Sequence, residues 1–393
     1  MSITNVRIYA DYAASAPLRP TALDAMHRAL TVLAAHGGNP SSPHRAGAGM
    51  RAALERARAS IAAAIGAEAL ELVLTSGATE ANNLALWGTA RSAADTRLAV
   101  AVSDHASVLA PARALQAAGA TVTFLPVDAS GRIDPAGIAA ARPTLVSLSL
   151  VNAETAIVQD VTAVTTAARA CGALVHFDAA QATAALPVDV RTLGADLLTL
   201  SAHKVGGPPG AGALYVRRGI EMHGTQRGGA QERGLRAGTE NVPAAAGFAA
   251  ALEEAVAGRP TEALRLRVLT GQLRDALVHR WPTARFTAAT APEVAPHIVN
   301  VAFPGYDAEA LVSALDLEGV AASAGSACAA GGTEPSHVLQ AMGWSAIEAT
   351  SALRLSFGWA STAADVTGVV ERLGVVLGRV APRREAAWPA RAS

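Results

Sequence analysis

Asp196-Leu197-Leu198-Thr199-Leu200-Ser201-Ala202-His203-Lys204, running on into Val205-Gly206-Gly207-Pro208-Pro209-Gly210, reads as a buried strand that ends in a short polar run and a glycine-rich turn. Gly212-Ala213-Leu214-Tyr215-Val216 reads as the next strand. Lys204 therefore stands at the mouth of a sheet. A lysine placed there is partly desolvated, which lowers its pKa and frees the amine to form a Schiff base. A single loop lysine is ordinarily just a solvated charge, so the weight of this reading rests on its neighbours.

Outward from that turn, strands are predicted at 72–74, 98–102, 121–125, 145–151 and 174–177, with helical stretches between most of them, such as 81–89 and 161–170. Helices at 21–35 and 52–65 come first, separated by the turn-rich Gly37-Gly38-Asn39-Pro40-Ser41-Ser42-Pro43-His44. Such alternation predicts an α/β fold, a mostly parallel sheet between helices, with ligands at the carboxyl ends of its strands. A compositional shift at Gly258-Arg259-Pro260 predicts a boundary, followed by a helix at 261–279, a strand at 297–303 and a helix at 307–317. The last helix sets Val366, Val369, Val370, Leu373, Val376 and Leu377 on one face, with Thr362 as its cap. That stripe is core. Residues 382–393 have little to bury and are expected to form a mobile tail.

Composition narrows the class. A chain of 393 residues with 51% hydrophobic content carries a sizeable core, and 32 basic residues against 32 acidic ones leave no nucleic-acid footprint or polybasic membrane patch. The two cysteines, Cys171 and Cys328, lie too far apart for a disulfide framework or a structural zinc site. Met1-Ser2-Ile3-Thr4-Asn5 lacks the basic and apolar regions of a signal, and no apolar run is long enough for a bilayer. A soluble cytoplasmic protein is expected, with no membrane and no direct nucleic-acid partner.

Further polar groups follow the other strands. Thr75-Ser76-Gly77-Ala78-Thr79-Glu80 opens a helix after the strand at 72–74, and backbone N–H groups there, with the Thr79 hydroxyl, suit a phosphate; taken alone, the same residues are simple helix capping. Asp178-Ala179-Ala180-Gln181 follows the strand at 174–177. Asp178 suits a protonated pyridine nitrogen and Gln181 suits the ring's phenolic oxygen, although either residue alone fits an ordinary loop.

These stretches, with His176-Phe177-Asp178-Ala179-Ala180-Gln181 and Arg233-Gly234-Leu235-Arg236-Ala237-Gly238-Thr239-Glu240-Asn241, resemble the signatures of NifS/IscS-type cysteine desulfurases. These are pyridoxal 5'-phosphate (PLP) enzymes of aminotransferase class V. The resemblance runs from Asp11 to about Gly358. It implies the type I fold of PLP-dependent transferases, with a large domain around a seven-stranded-type sheet and a smaller α+β C-terminal domain. The division expected is 1–16 packing with the small domain, 17–258 holding PLP, 259–381 as the small domain, and 382–393 as the tail.

The resemblance also implies roles. Lys204 would carry PLP, Asp178 would pair with its pyridinium, and Thr79, Ser201 and His203 would hold the phosphate with the Ala78 backbone beside it. Thr239 would reach the phosphate of a neighbouring subunit, which implies a homodimer. His105, in Ser103-Asp104-His105-Ala106-Ser107-Val108, would stack on the ring and shuttle protons. Arg354 would clamp the carboxylate of L-cysteine, as a bidentate guanidinium does, with Asn39 assisting. Cys328, in a Gly, Ala and Ser segment from Ser323 to His337, resembles the family's mobile-loop nucleophile. Its persulfide would pass to a protein sulfur acceptor; no resident metal is expected, and a transient iron-sulfur ligand role for Cys328 stays open.

Two positions depart from the family pattern. Ala153 in Asn152-Ala153-Glu154-Thr155-Ala156 stands where a second Asn commonly donates to the phenolic oxygen, a loss worth about 1 kcal/mol that Gln181 or water would offset. Pro209 replaces a turn lysine. A selenocysteine lyase or another class V C–S lyase shares every motif except the demand for Cys328. A class V aminotransferase would need a keto-acid acceptor and no thiol, and a weakly active sulfur-trafficking scaffold has only Ala153 in its favour. Gly206 to Gly212 does not join a strand to a helix, which excludes a dinucleotide site.

Overall fold

The computed structural model describes residues 7–90, 92, 94–325 and 334–380. Among them, thirteen strands run in chain order: β1 Ile8–Tyr9, β2 Leu72–Thr75, β3 Arg97–Ala101, β4 Thr121–Leu125, β5 Leu145–Ser149, β6 Leu174–Asp178, β7 Leu197–Ser201, β8 Gly212–Val216, β9 Arg285–Phe286, β10 Ile298–Ala302, β11 Val320–Ala321, β12 Ser323–Ala324 and β13 Ala352–Ser356. The central sheet has seven strands in the order β2-β8-β7-β6-β5-β3-β4. β8 is antiparallel to both neighbours, β2 and β7, and the remaining pairs are parallel. Val175 and Phe177 face one apolar cluster, whereas Val73, Val100 and Leu197 face another, so the sheet is buried on both sides as its continuous apolar strands require.

A smaller, antiparallel sheet, β12-β13-β10-β9, has its own core. The helix Ala363–Arg379 lays Val366, Val369, Leu373, Val376 and Leu377 on it, and Thr362 with Asp365 closes a capping box at its start. β1 pairs in parallel with β11, and Ile8 joins the same core. Among the described residues, no helix is long and apolar enough to cross a membrane, and no group of three or more His, Cys, Asp or Glu side chains is arranged to hold a metal ion.

Several elements differ from the sequence expectation. The helix expected at 261–279 begins at Val242, so the boundary expected at Gly258-Arg259-Pro260 lies inside one helix, Val242–Arg280. Its first half buries Phe248 and Leu252 against the large-sheet core, and its second half buries Leu266, Leu269, Leu273 and Leu277 against the small one. Packing at both ends overrides the local breakers. The helix expected at 52–65 starts at Arg45 because the His44 ring accepts from Gly47 N. β5 stops at Ser149, short of Val151, because Asn152 Oδ1 accepts from Glu154 N at 3.0 Å and Thr155 N at 2.9 Å, which turns the chain. Cys171 is half-buried at the end of the helix Val161–Ala170.

Candidate active site

The polar residues after β2, β3, β5, β6 and β7 meet in a cavity of about 470 Å³ at the carboxyl edge of the large sheet. Ala78, Thr79, His105, Asp178, Gln181, Ser201, His203, Lys204 and Arg354 all line it. A 3-10 turn, Ala202–Lys204, follows β7 directly and aims the lysine inward. Its Nζ donates to Ala13 O at 2.6 Å and Ala14 O at 2.9 Å, so the segment after β1 forms one wall. Burial, with the Lys204 charge beside it, pushes His203 down to about 4 and leaves it a neutral hydrogen-bonding group.

A helix start on the cavity wall suits an anion. Helix Ala78–Thr89 starts there with no side-chain cap, and its preceding residue, Gly77, has φ 152°, a conformation that favours glycine. A Cβ on Gly212 would sit 2.6 Å from Gly77 Cα and 2.7 Å from Leu200 O, so the chain after β2 approaches β8 this closely only because residue 212 is a glycine. Ser201 Oγ is buried nearby with no hydrogen-bond partner among the described residues.

Asp178 is held for a cationic partner. Its Oδ1 accepts from Ala180 N at 3.0 Å and its Oδ2 from Asn82 Nδ2 at 2.7 Å. Asn82 Nδ2 also donates to Ser107 Oγ at 2.8 Å, and that hydroxyl lies 2.8 Å from His105 Nδ1. Because the Ser107 backbone N–H points at the same nitrogen from 3.1 Å, Nδ1 is an acceptor and the neutral ring carries its proton on Nε2. Asp104 pins the neighbourhood by accepting from Ala101 N at 2.9 Å and Ser149 N at 2.7 Å, and burial pushes its carboxyl up to about 7. Arg354, on β13, is buried; its Nη2 donates to Asp11 at 3.0 Å, its Nη1 to Ala153 O at 3.1 Å, and its Nε has no hydrogen-bond partner among the described residues.

Comparisons with known proteins agree with this geometry. The aminotransferase class-V family profile matches residues 8–369. The chain belongs to the class V aminotransferase family. It is 36% identical over 386 residues to a protein named cysteine desulfurase IscS from Dictyoglomus turgidum, across 96% of this chain and 97% of that one. Its fold superposes on a solved NifS-like protein with a TM-score of 0.87 at 29% identity, covering 95% of this chain and 100% of that one. A solved structure titled SspA in complex with cysteine matches with a TM-score of 0.76 at 32% identity, over 89% of this chain and 98% of that one.

Class V aminotransferases work with PLP, and the residues of this family member fit it. The uncapped helix start and the unpartnered Ser201 Oγ suit a phosphate. Asp178 and Lys204, facing one cavity, suit a pyridinium and an aldehyde. Two expected residues are not part of this cavity. Asn39 is exposed and its Oδ1 accepts from Ser41 N at 2.9 Å, so it shapes its own turn. Thr239 lines a neighbouring cavity of about 260 Å³ that shares Ser76, Gly210 and Ala211 with the first. Cys328 lies outside the described residues.

Asn82 and Ser107 are site residues that the sequence reading passed over. The available signal was spacing: Asn82 falls one helical turn after Ala78, on the face that looks at the sheet. Asn82→Leu removes both N–H donors from a fully buried position, and the expected result is PLP affinity lowered about tenfold with the fold retained. Titration of the apoprotein with PLP checks it; unchanged affinity refutes the role.

Proposed function

We propose that this chain is a cysteine desulfurase that converts L-cysteine to L-alanine and leaves a persulfide on Cys328. The observation that carries it is the convergence of Lys204, Asp178 and Arg354 on one cavity in a class V aminotransferase chain. PLP, when bound, supplies an electron sink for the substrate's α-carbon. With PLP bound, Lys204 would take up the α-proton, and Asp178 would hold the pyridinium nitrogen. Arg354 turns from Asp11 to the substrate carboxylate, and His105 offers its Nε2 side to proton transfer. Cys328 thiolate then attacks the substrate sulfur: the S–S bond forms, the C–S bond breaks, and its electron pair passes to the carbon skeleton, which takes up a proton to become alanine. The persulfide moves on to an acceptor thiol.

Similarity to proteins named cysteine desulfurase supports the substrate, and the match titled as a complex with cysteine supports it further. The assembly proposed is a cytoplasmic homodimer in which Thr239 completes the neighbouring subunit's phosphate site. Its partner is a protein sulfur acceptor, of the iron-sulfur assembly or thiolation kind. The large and small domains proposed share the helix Val242–Arg280. The test is the mass of the Cys328 peptide after PLP-loaded protein meets L-cysteine without reductant. One added sulfur with alanine in solution is expected. Alanine with unmodified Cys328 would instead make the protein a lyase that releases sulfur directly.

A further inference from the structure

Gln181 meets the cavity with an amide that is fixed at both ends. Its Nε2 donates to Ala13 O at 2.7 Å, the carbonyl that also holds Lys204 Nζ. A carbonyl only accepts, so the nitrogen end of the amide faces Ala13 and Oε1 is left pointing the other way. There it meets His297 Nε2 at 3.3 Å. An amide oxygen also only accepts, which places the imidazole proton on Nε2.

His297 belongs to the other half of the molecule. It immediately precedes β10, and its carbonyl accepts from Phe357 N at 2.9 Å beside β13. It is 7% exposed, and its Nδ1 has no hydrogen-bond partner among the described residues. His297, Gln181 and Lys204 share the wall of a small cavity of about 30 Å³. Burial, with the charges of Arg354 and Lys204, lowers the ring's pKa to about 4, so it stays a neutral donor at ordinary pH. A residue of the small sheet thus sets the orientation of an amide in the cofactor cavity of the large one.

We propose that His297 is a positioning residue that locks the Gln181 amide with its nitrogen on the Lys204 side, leaving its second N–H for bound PLP. This rests on the reading of Gln181 as a cofactor-binding residue. Ala153 lines the same cavity with a methyl group and offers no side-chain donor, so the orientation of Gln181 matters more.

The test uses Gln181→Leu, His297→Leu, the double variant, and His297→Gln, which returns a donor to the place of Nε2. His297→Asn, whose amide ends where Nδ1 now lies, is a second loss variant if His297→Leu fails to accumulate. Each is read by the pH titration of the visible absorbance of bound PLP, by the Kd for PLP, and by thermal unfolding of the apoprotein. His297→Leu is expected to shift the titration in the same direction as Gln181→Leu and to weaken PLP binding about 3–10-fold. His297→Gln is expected to restore both, and the double variant to behave as Gln181→Leu alone. A titration that moves in Gln181→Leu and stays parental in His297→Leu overturns the role of His297 while Gln181 keeps its own, as do additive effects in the double variant. A titration unmoved by either substitution removes the cofactor role of Gln181, and the proposal falls with it.

Discussion

Cys328→Ala is expected to retain the visible absorbance of bound PLP and to lose sulfide release from L-cysteine by about three orders of magnitude, the scale on which removal of a covalent nucleophile acts. Cys328 is not among the residues proposed to hold the cofactor. Nor can the second cysteine take over. Cys171 ends the helix Val161–Ala170, which leads back into β6, so it lies at the amino edge of the sheet. The cavity is at the carboxyl edge, beyond Asp178, and the five residues of β6 separate the two by roughly 16 Å. Cys171→Ala is therefore expected to be silent. Undiminished sulfide release from Cys328→Ala, with Cys171 intact or replaced, would refute the persulfide route.

The largest expected loss of stability comes from Arg58→Met. Arg58 grips Glu232 with both nitrogens, Nη1 to Oε2 at 2.6 Å and Nη2 to Oε1 at 2.7 Å, and the Glu232 side chain is 0% exposed. Oε2 also accepts from Leu74 N at 2.8 Å, which ties the pair to β2. Glu232 and Arg233 have φ of 47° and 57°, in a region costly for residues with a Cβ, and the pair holds that turn in place. Removing the guanidinium strands a buried carboxylate, at a cost of about 3–5 kcal/mol. Denaturant unfolding measures it. Glu232→Gln, which still accepts from Leu74 N and leaves Arg58 its remaining partners, Glu55 at 3.2 Å and Leu72 O at 3.2 Å, is expected to cost less than Arg58→Met. A loss below about 1 kcal/mol for Arg58→Met would mean that the turn is held by something else. The effect reaches the cofactor as well, because β2 leads straight into Ser76 and Ala78, and Arg236, just after the strained turn, pairs with Glu80 at 2.8 Å.

What could be read in the sequence was whatever local pattern specifies. The strands of the large sheet are largely apolar runs between helices, and β6 and β7 carry polar residues at their carboxyl ends. That is why Asp178, Ser201 and Lys204 could be placed at one edge before any coordinates. Thr362 with its Asp three residues on announced the last helix in the same way. Contacts between distant segments were not legible. Gly258 and Pro260 look like breakers, and only the two cores on which their helix lies overrule them. Arg58 reads as one more charge on an alanine-rich helix until Glu232, 174 residues later, meets it. Asn82 and His297 gain a role only when the fold brings Asp178 and Gln181 to them. Asn39 stands in a motif that was plain in sequence, and its Oδ1 bonds within the loop it stands in.

The pairing of Ile8–Tyr9 with Val320–Ala321 bears on when the protein becomes competent. Asp11, which holds Arg354, is 343 residues away from it along the chain. At about 5–20 residues per second, a ribosome delivers the second roughly 20–70 s after the first. Over that interval the large sheet can be complete while the segment carrying Ala13 and Ala14 has no strand to dock against. The earliest-made piece of the cavity wall, which Gln181 and Lys204 can already hold, is thus the last to gain all of its contacts, because Asp11 waits for Arg354.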